Sequence, residues 1–163
     1  MTSPPYAFEV SLHAASGNAA PGDVLTDAWG TWPTIVVPRE ALAQPMEIRF
    51  DEALERLGAL ERLFVEPDGS FVWSSPRSGI SKPSFWWQVD GNAFERAGRV
   101  LLVDLKGSCP PTEFDRVLTA LGWPTQAVMV QLVRPALFLD EATFRRHAAA
   151  RGRAGDGEVL RPA

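Results

Sequence analysis

The segment from Arg99 to Leu105, Arg-Val-Leu-Leu-Val-Asp-Leu, constrains the fold most, because its four consecutive apolar residues between Gly98 and Gly107 are too few for a typical helix and suit a strand covered on both faces. A second run of the same kind is Ala127 to Val133, Ala-Val-Met-Val-Gln-Leu-Val. Between them, Phe114, Val117, Leu118 and Leu121 recur at i, i+3, i+4 and i+7. That spacing predicts a helix over Thr112 to Leu121, ended by Gly122 and by Trp123-Pro124. Strand, helix and strand imply a right-handed crossover, with the two apolar runs side by side at the centre of one sheet.

The flanking segments extend that sheet. Tyr6 to Leu12 alternates with period two, Thr34 to Val37 is a short β-branched run, and Met46 to Phe50 places Met46, Ile48 and Phe50 on one side. Asp51 suits a helix N-cap, with Leu54 and Leu57 on one face behind it. Leu63 to Glu66 and Ser70 to Ser74 flank Pro67-Asp68-Gly69, the chemistry of a hairpin turn. Phe85 to Val89 reads as a strand turned back at Asp90-Gly91, Asn92 to Arg96 as its return, and Ala97-Gly98 as a second tight turn. Asp140 suits the N-cap of a last helix through about Ala150.

The expectation is an α+β fold, a single globular domain over residues 1–163 with 1–5 and about 152–163 flexible. Its mixed, mainly antiparallel sheet has about six to eight strands, two or three helices pack on it, and one β-α-β crossover joins Arg99–Leu105, Thr112–Leu121 and Ala127–Val133. Two long loops, Ala14 to Pro33 and Ser74 to Pro83, are too rich in Gly, Pro, Ser and Asn for regular structure.

With 45% apolar and 22% charged residues, a chain of 163 residues buries a core without staples. Twenty Asp and Glu outnumber sixteen Lys and Arg, a net charge of −4 that argues against nucleic acid as the partner. The single cysteine, Cys109, forms no internal disulfide and suits the cytoplasm. A secretion signal and an apolar run of membrane-spanning length are both missing, so a membrane is not expected either.

Chemistry is sparse. One Cys and two His lack metal-ligand spacing, and no dinucleotide or nucleophile-elbow pattern occurs, so neither a cofactor nor a metal nor a complete catalytic set is expected. What remains is a tryptophan-rich surface: Trp29 and Trp32 in the first long loop, and Trp86 and Trp87, which as strand neighbours point to opposite faces. Arg145, Arg146, Arg151 and Arg153 gather near the last helix and suit an acidic partner. These features point to a non-catalytic protein-protein interaction module, a subunit or adaptor of a larger cytoplasmic assembly of bacterial type, with another protein as partner and an oligomeric state the sequence does not set.

The alternative is a small enzyme or ligand-binding domain. Lys106 to Pro111 reads as the turn between a buried strand and a helix N-terminus, where open sheets place ligands, and it would gather Asp104, Lys106, Ser108 and Cys109. Asp104 and Gln131 stand out as polar residues within apolar strands, and Asp104 has Lys106 two residues on as a possible ion-pair partner.

Overall fold

The structure, a computed structural model, describes residues 4–76 and 86–155. Nine strands form one sheet: β1 (Tyr6–Ala14), β2 (Ala20–Asp27), β3 (Gly30–Val36), β4 (Leu63–Val65), β5 (Ser70–Ser74), β6 (Gln88–Arg96), β7 (Arg99–Cys109), β8 (Val128–Leu132) and β9 (Leu137–Asp140). Three α-helices accompany them, α1 (Phe50–Gly58), α2 (Pro111–Ala120) and α3 (Glu141–Arg153). The α+β class therefore stands, with the sheet order β2-β3-β9-β8-β1-β7-β6-β5-β4.

Every neighbouring pair is antiparallel, which replaces the expected mixture. The crossover survives in altered form. Both β7 and β8 pair antiparallel with β1, so they run parallel to each other with β1 between them rather than side by side. A run that is apolar on both faces reports that a strand is covered; it does not name the neighbour.

The helices share one face. Phe8 of β1 meets Phe114 of α2 and Phe144 of α3 edge-on, with ring centroids 5.5 and 6.4 Å away, and Tyr6 touches the same two rings. Val10, Leu12, Val103, Leu105, Phe71 and Trp73 continue this face into the core, with Ala53 and Leu57 buried on α1 beside it. Among the described residues the opposite face carries no α-helix. It presents the alternate residues of the same strands, including Ser11, His13, Asp104 and Asn92.

Two glycines expected in turns lie inside strands. β6 passes straight through Asp90-Gly91, where a Cβ on Gly91 would sit 2.1 Å from Phe71 Cζ. Likewise β7 runs on to Cys109, and a Cβ on Gly107 would meet the Gln88 carbonyl at 2.0 Å. Both glycines admit a close neighbour, and the tight turn falls at Ala97-Gly98, both residues with positive φ, as expected. The Lys106 to Pro111 turn shrinks to Pro110, the N-cap of α2.

The first long loop folds as well. Residues 20–36 form a hairpin at the sheet edge, where Pro21 and Pro33 are tolerated and the register shifts between Pro21 and Val24. Met46 and Ile48 are buried by alternation, but their segment keeps one isolated bridge, Arg49 to Arg99, before α1 begins at Phe50. β9 follows a turn at Pro135-Ala136, and Asp140 caps α3 by accepting from the Thr143 N–H at 2.8 Å. That helix runs to Arg153, and Gly152, expected in a fraying tail, is buried against β1. The loop expected over Ser74 to Pro83 lies mostly outside the described residues, as does Phe85.

Candidate functional site

Only Ala28 and Trp29 separate β2 from β3, and Asp27 closes the turn. Its Oδ1 accepts from the Trp29 N–H at 2.9 Å, the Gly30 N–H at 3.2 Å and the Trp32 indole N–H at 3.0 Å. Oδ2 lies 2.8 Å from His147 Nε2 on α3. Burial by itself would raise the Asp27 pKa, but the bonds from Trp32, His147 and the Trp29 backbone outweigh it and hold the carboxyl below its ordinary range. Trp29 and Trp32 stand edge-to-face with the His147 ring at 5.6 and 5.1 Å, and the Arg151 guanidinium lies 4.8 Å over Trp29. One carboxylate thus clasps the tryptophan hairpin to α3.

Beside this clasp the sheet divides. β8 pairs with β1 down to Val10, the Val133 N–H still reaches the Glu9 carbonyl at 3.2 Å, and from there to Tyr6 strand β1 has a strand partner on the β7 side alone. The gap is a cleft of about 630 Å³, within the range of ligand and peptide pockets. Leu25, Trp29, Leu132, Val133 and Pro135 give it an apolar lining, and Lys106, Arg134 and Arg151 give it three cations. Its carboxylates are Glu9 and the already committed Asp27. Among the described residues, neither Lys106 nor Arg134 has an ion-pair partner.

A second cleft of about 450 Å³ is lined by Tyr6, Trp32, Arg145, Arg146, Ala149 and Arg153. Arg145, expected as a partner contact, is largely consumed within the fold. It pairs with Asp115 at 2.7 Å and Glu141 at 3.0 Å, reaches the Tyr6 hydroxyl at 3.4 Å, and stacks over Trp123 and Phe114 at 5.3 and 5.8 Å. Burial works against its charge, and these acceptors more than restore it. Arg146 and Arg153 remain exposed on the same helix.

The sequence-expected residues therefore divide. Trp29, Trp32, Lys106, Arg145 and Arg146 come together around the two clefts, joined by Asp27, His147, Glu9 and Arg134, which were not anticipated. Asp27 was legible as a turn-closing carboxylate ahead of Gly30. Its bond to His147, 120 residues away, carries no local signal. Trp87 is buried against Trp73, ring centroids 4.9 Å apart, while Trp86 is half-buried away from both clefts.

The proposed strand-to-helix pocket does not assemble, because Asp104, Lys106, Ser108 and Cys109 lie on a continuous strand. Asp104, Lys106 and Ser108 belong to the helix-free side and Cys109 to the covered side. Cys109 is 1% exposed, and burial, with Glu113 and Asp115 adding to it, pushes its thiol well above the ordinary value, the opposite of an activated nucleophile. Asp104 accepts the Ser11 hydroxyl rather than pairing with Lys106, and it lies in one cross-strand row with Asn92, Ser11 and Gln131. The two polar residues that stood out in the sequence thus flank a single serine.

No protein-family model matches the chain, and neither a curated protein nor a solved structure matches it. Among the described residues no group of His, Cys, Asp and Glu could hold a metal ion, and no helix is long and apolar enough to cross a membrane.

Proposed function

We propose that the chain is a non-catalytic binding module, a cytoplasmic subunit or adaptor that holds an acidic partner protein at the end formed by the β2–β3 hairpin and α3. The observation that carries this reading is a charge asymmetry. On a chain of net charge −4, the two clefts at this end are lined by Lys106, Arg134 and Arg151 and by Arg146 and Arg153, with Arg145 beside them already paired to Asp115 and Glu141, while the lining residues include only Glu9 and Asp27 as carboxylates. Local charge of one sign beside aromatic surface steers and anchors an oppositely charged partner. The Asp27 clasp supports the reading by fixing the hairpin before any partner arrives, which lowers the ordering cost of binding.

The test is capture from source-cell extract, followed by reconstitution with the captured protein. Charge reversal at Arg146 and Arg153 together is expected to abolish the complex and Arg96→Glu, on β6, to leave it intact, with affinity falling as salt rises. A complex indifferent to the double reversal, or a chain that stays solitary throughout, overturns the proposal.

A further inference from the structure

The larger cleft shows which chemistry the partner must offer. Resting on the reading above, we infer that the cleft between β8, the β2–β3 hairpin and α3 receives an acidic side chain and an adjacent apolar side chain from one extended segment of the partner. The cleft has two kinds of surface. Trp29, with Arg151 spread over its ring, and Leu132, Val133 and Pro135 form an apolar wall that a small hydrated anion does not need. Lys106 and Arg134 line the same cleft, both exposed and neither within ion-pair distance of a carboxylate among the described residues, so they favour an anionic group over a neutral one.

Each half excludes a simpler ligand. An inorganic anion gains nothing from the wall, and a purely apolar group forfeits the two cations. Asp27 and His147 do not compete for the ligand, because both oxygens of Asp27 are already bonded. Glu9 on β1 and Asp90 on β6 flank Lys106 in the strand register, so the ligand carboxylate is assigned first to Arg134, just beyond the end of β8, with Lys106 as the second cation.

Three capped peptides serve as probes: acetyl-Phe-Glu-Phe-Glu-amide, its Gln counterpart, and the Ser-Glu-Ser-Glu version. Binding is read by NMR from the Trp29 indole N–H, assigned with Trp29→Phe. The first peptide is expected to shift that resonance saturably, and each of the other two to bind about tenfold or more weakly. Lys106→Ala combined with Arg134→Ala, both exposed positions, should weaken the first peptide by a similar factor while leaving the remaining backbone spectrum in place. Equal binding of the Gln peptide would reduce the cleft to an apolar groove, equal binding of the Ser peptide would reduce it to a bare anion site, and an unmoved Trp29 would remove the site. Any of these overturns the inference alone if capture of the partner still fails on reversal of Arg146 and Arg153; loss of both results removes the functional reading as well.

Discussion

The two faces of the sheet are built from the same strands and do different work. On the covered face, β1 offers Tyr6 and Phe8 to α2 and α3, and its Val10 and Leu12 join Val103 and Leu105 of β7 in the core. On the helix-free face the intervening residues form a polar row, Asn92, Asp104, Ser11 and Gln131, with His13 one step along β1 and Phe94, Val72 and Phe64 exposed towards the β4 edge. The main core cluster therefore lies on one side, while on the other a smaller buried group, Met129, His13 and Phe138, sits near β8 and β9. The clefts open where the division fails, at the place where β8 stops and residues from both faces meet.

The largest expected effect tests the covered side. Phe114 is 1% exposed and its ring contacts those of Tyr6, Phe8 and Phe144, so Phe114→Ala leaves a cavity at the junction of α2, α3 and β1. A loss of about 3–5 kcal/mol is expected in denaturant unfolding. A loss under about 1 kcal/mol would mean that the helices hold to the sheet elsewhere.

Gly152→Ala sharpens the comparison through its sign. In a free helix end, replacing glycine by alanine stabilises by about 1 kcal/mol. Here the added Cβ would fall 1.8 Å from the Pro5 carbonyl oxygen, so α3 must move off β1 and a loss of about 1–3 kcal/mol is expected instead. A raised melting temperature would show that this end of α3 does not rest on β1.

The covered face was legible from the helical spacing around Phe114, from the apolar runs of β7 and β8, and from the turn chemistry of Pro67-Asp68-Gly69. Strand neighbours were not legible, because a bifacial apolar run is compatible with any covered partner, and β1 took the place between β7 and β8. Glycine misled where it served contact rather than turning, at Gly91, Gly107 and Gly152, since a sequence cannot show what stands above a missing Cβ. At the candidate site, the tryptophans and arginines could be read from composition. Their meeting depends on Asp27 and His147, a pairing set entirely by tertiary folding.

His13 gives the helix-free side a pH signature. It is 6% exposed, and burial lowers its pKa despite the opposing hydrogen bond it donates to Gln131 and the charge of Asp104. The other groups around it are Leu102 and Met129 across the strands and Phe138 edge-on at 5.3 Å, none of which carries charge. As pH falls through about 6.5, the unfolded chain protonates this residue first, so its contribution is intact above that value and declines below it, by at most about 1.4 kcal/mol per pH unit. His13→Gln should flatten the fall in urea midpoint between about pH 7 and pH 5 relative to the parent chain. Parallel curves for the two proteins would show that the ring does not titrate in this window.

The smallest effect is expected where size alone would suggest a large one. Phe94 is as bulky as Phe114, but it is 41% exposed on the helix-free face, with Leu102 as its cross-strand neighbour. Phe94→Ser keeps the backbone pairing of β6 with β7 and removes a ring that is already partly hydrated, so the change in unfolding free energy should stay within about 0.5 kcal/mol. A loss approaching that of Phe114→Ala would mean that a second layer packs on this face in solution, and the division of labour between the two sides would then fail. A neutral result places the difference between the two phenylalanines in what covers them, since on the same two strands the pair one position from Phe94 and Leu102, Ala93 with Val103, faces the helices and is buried.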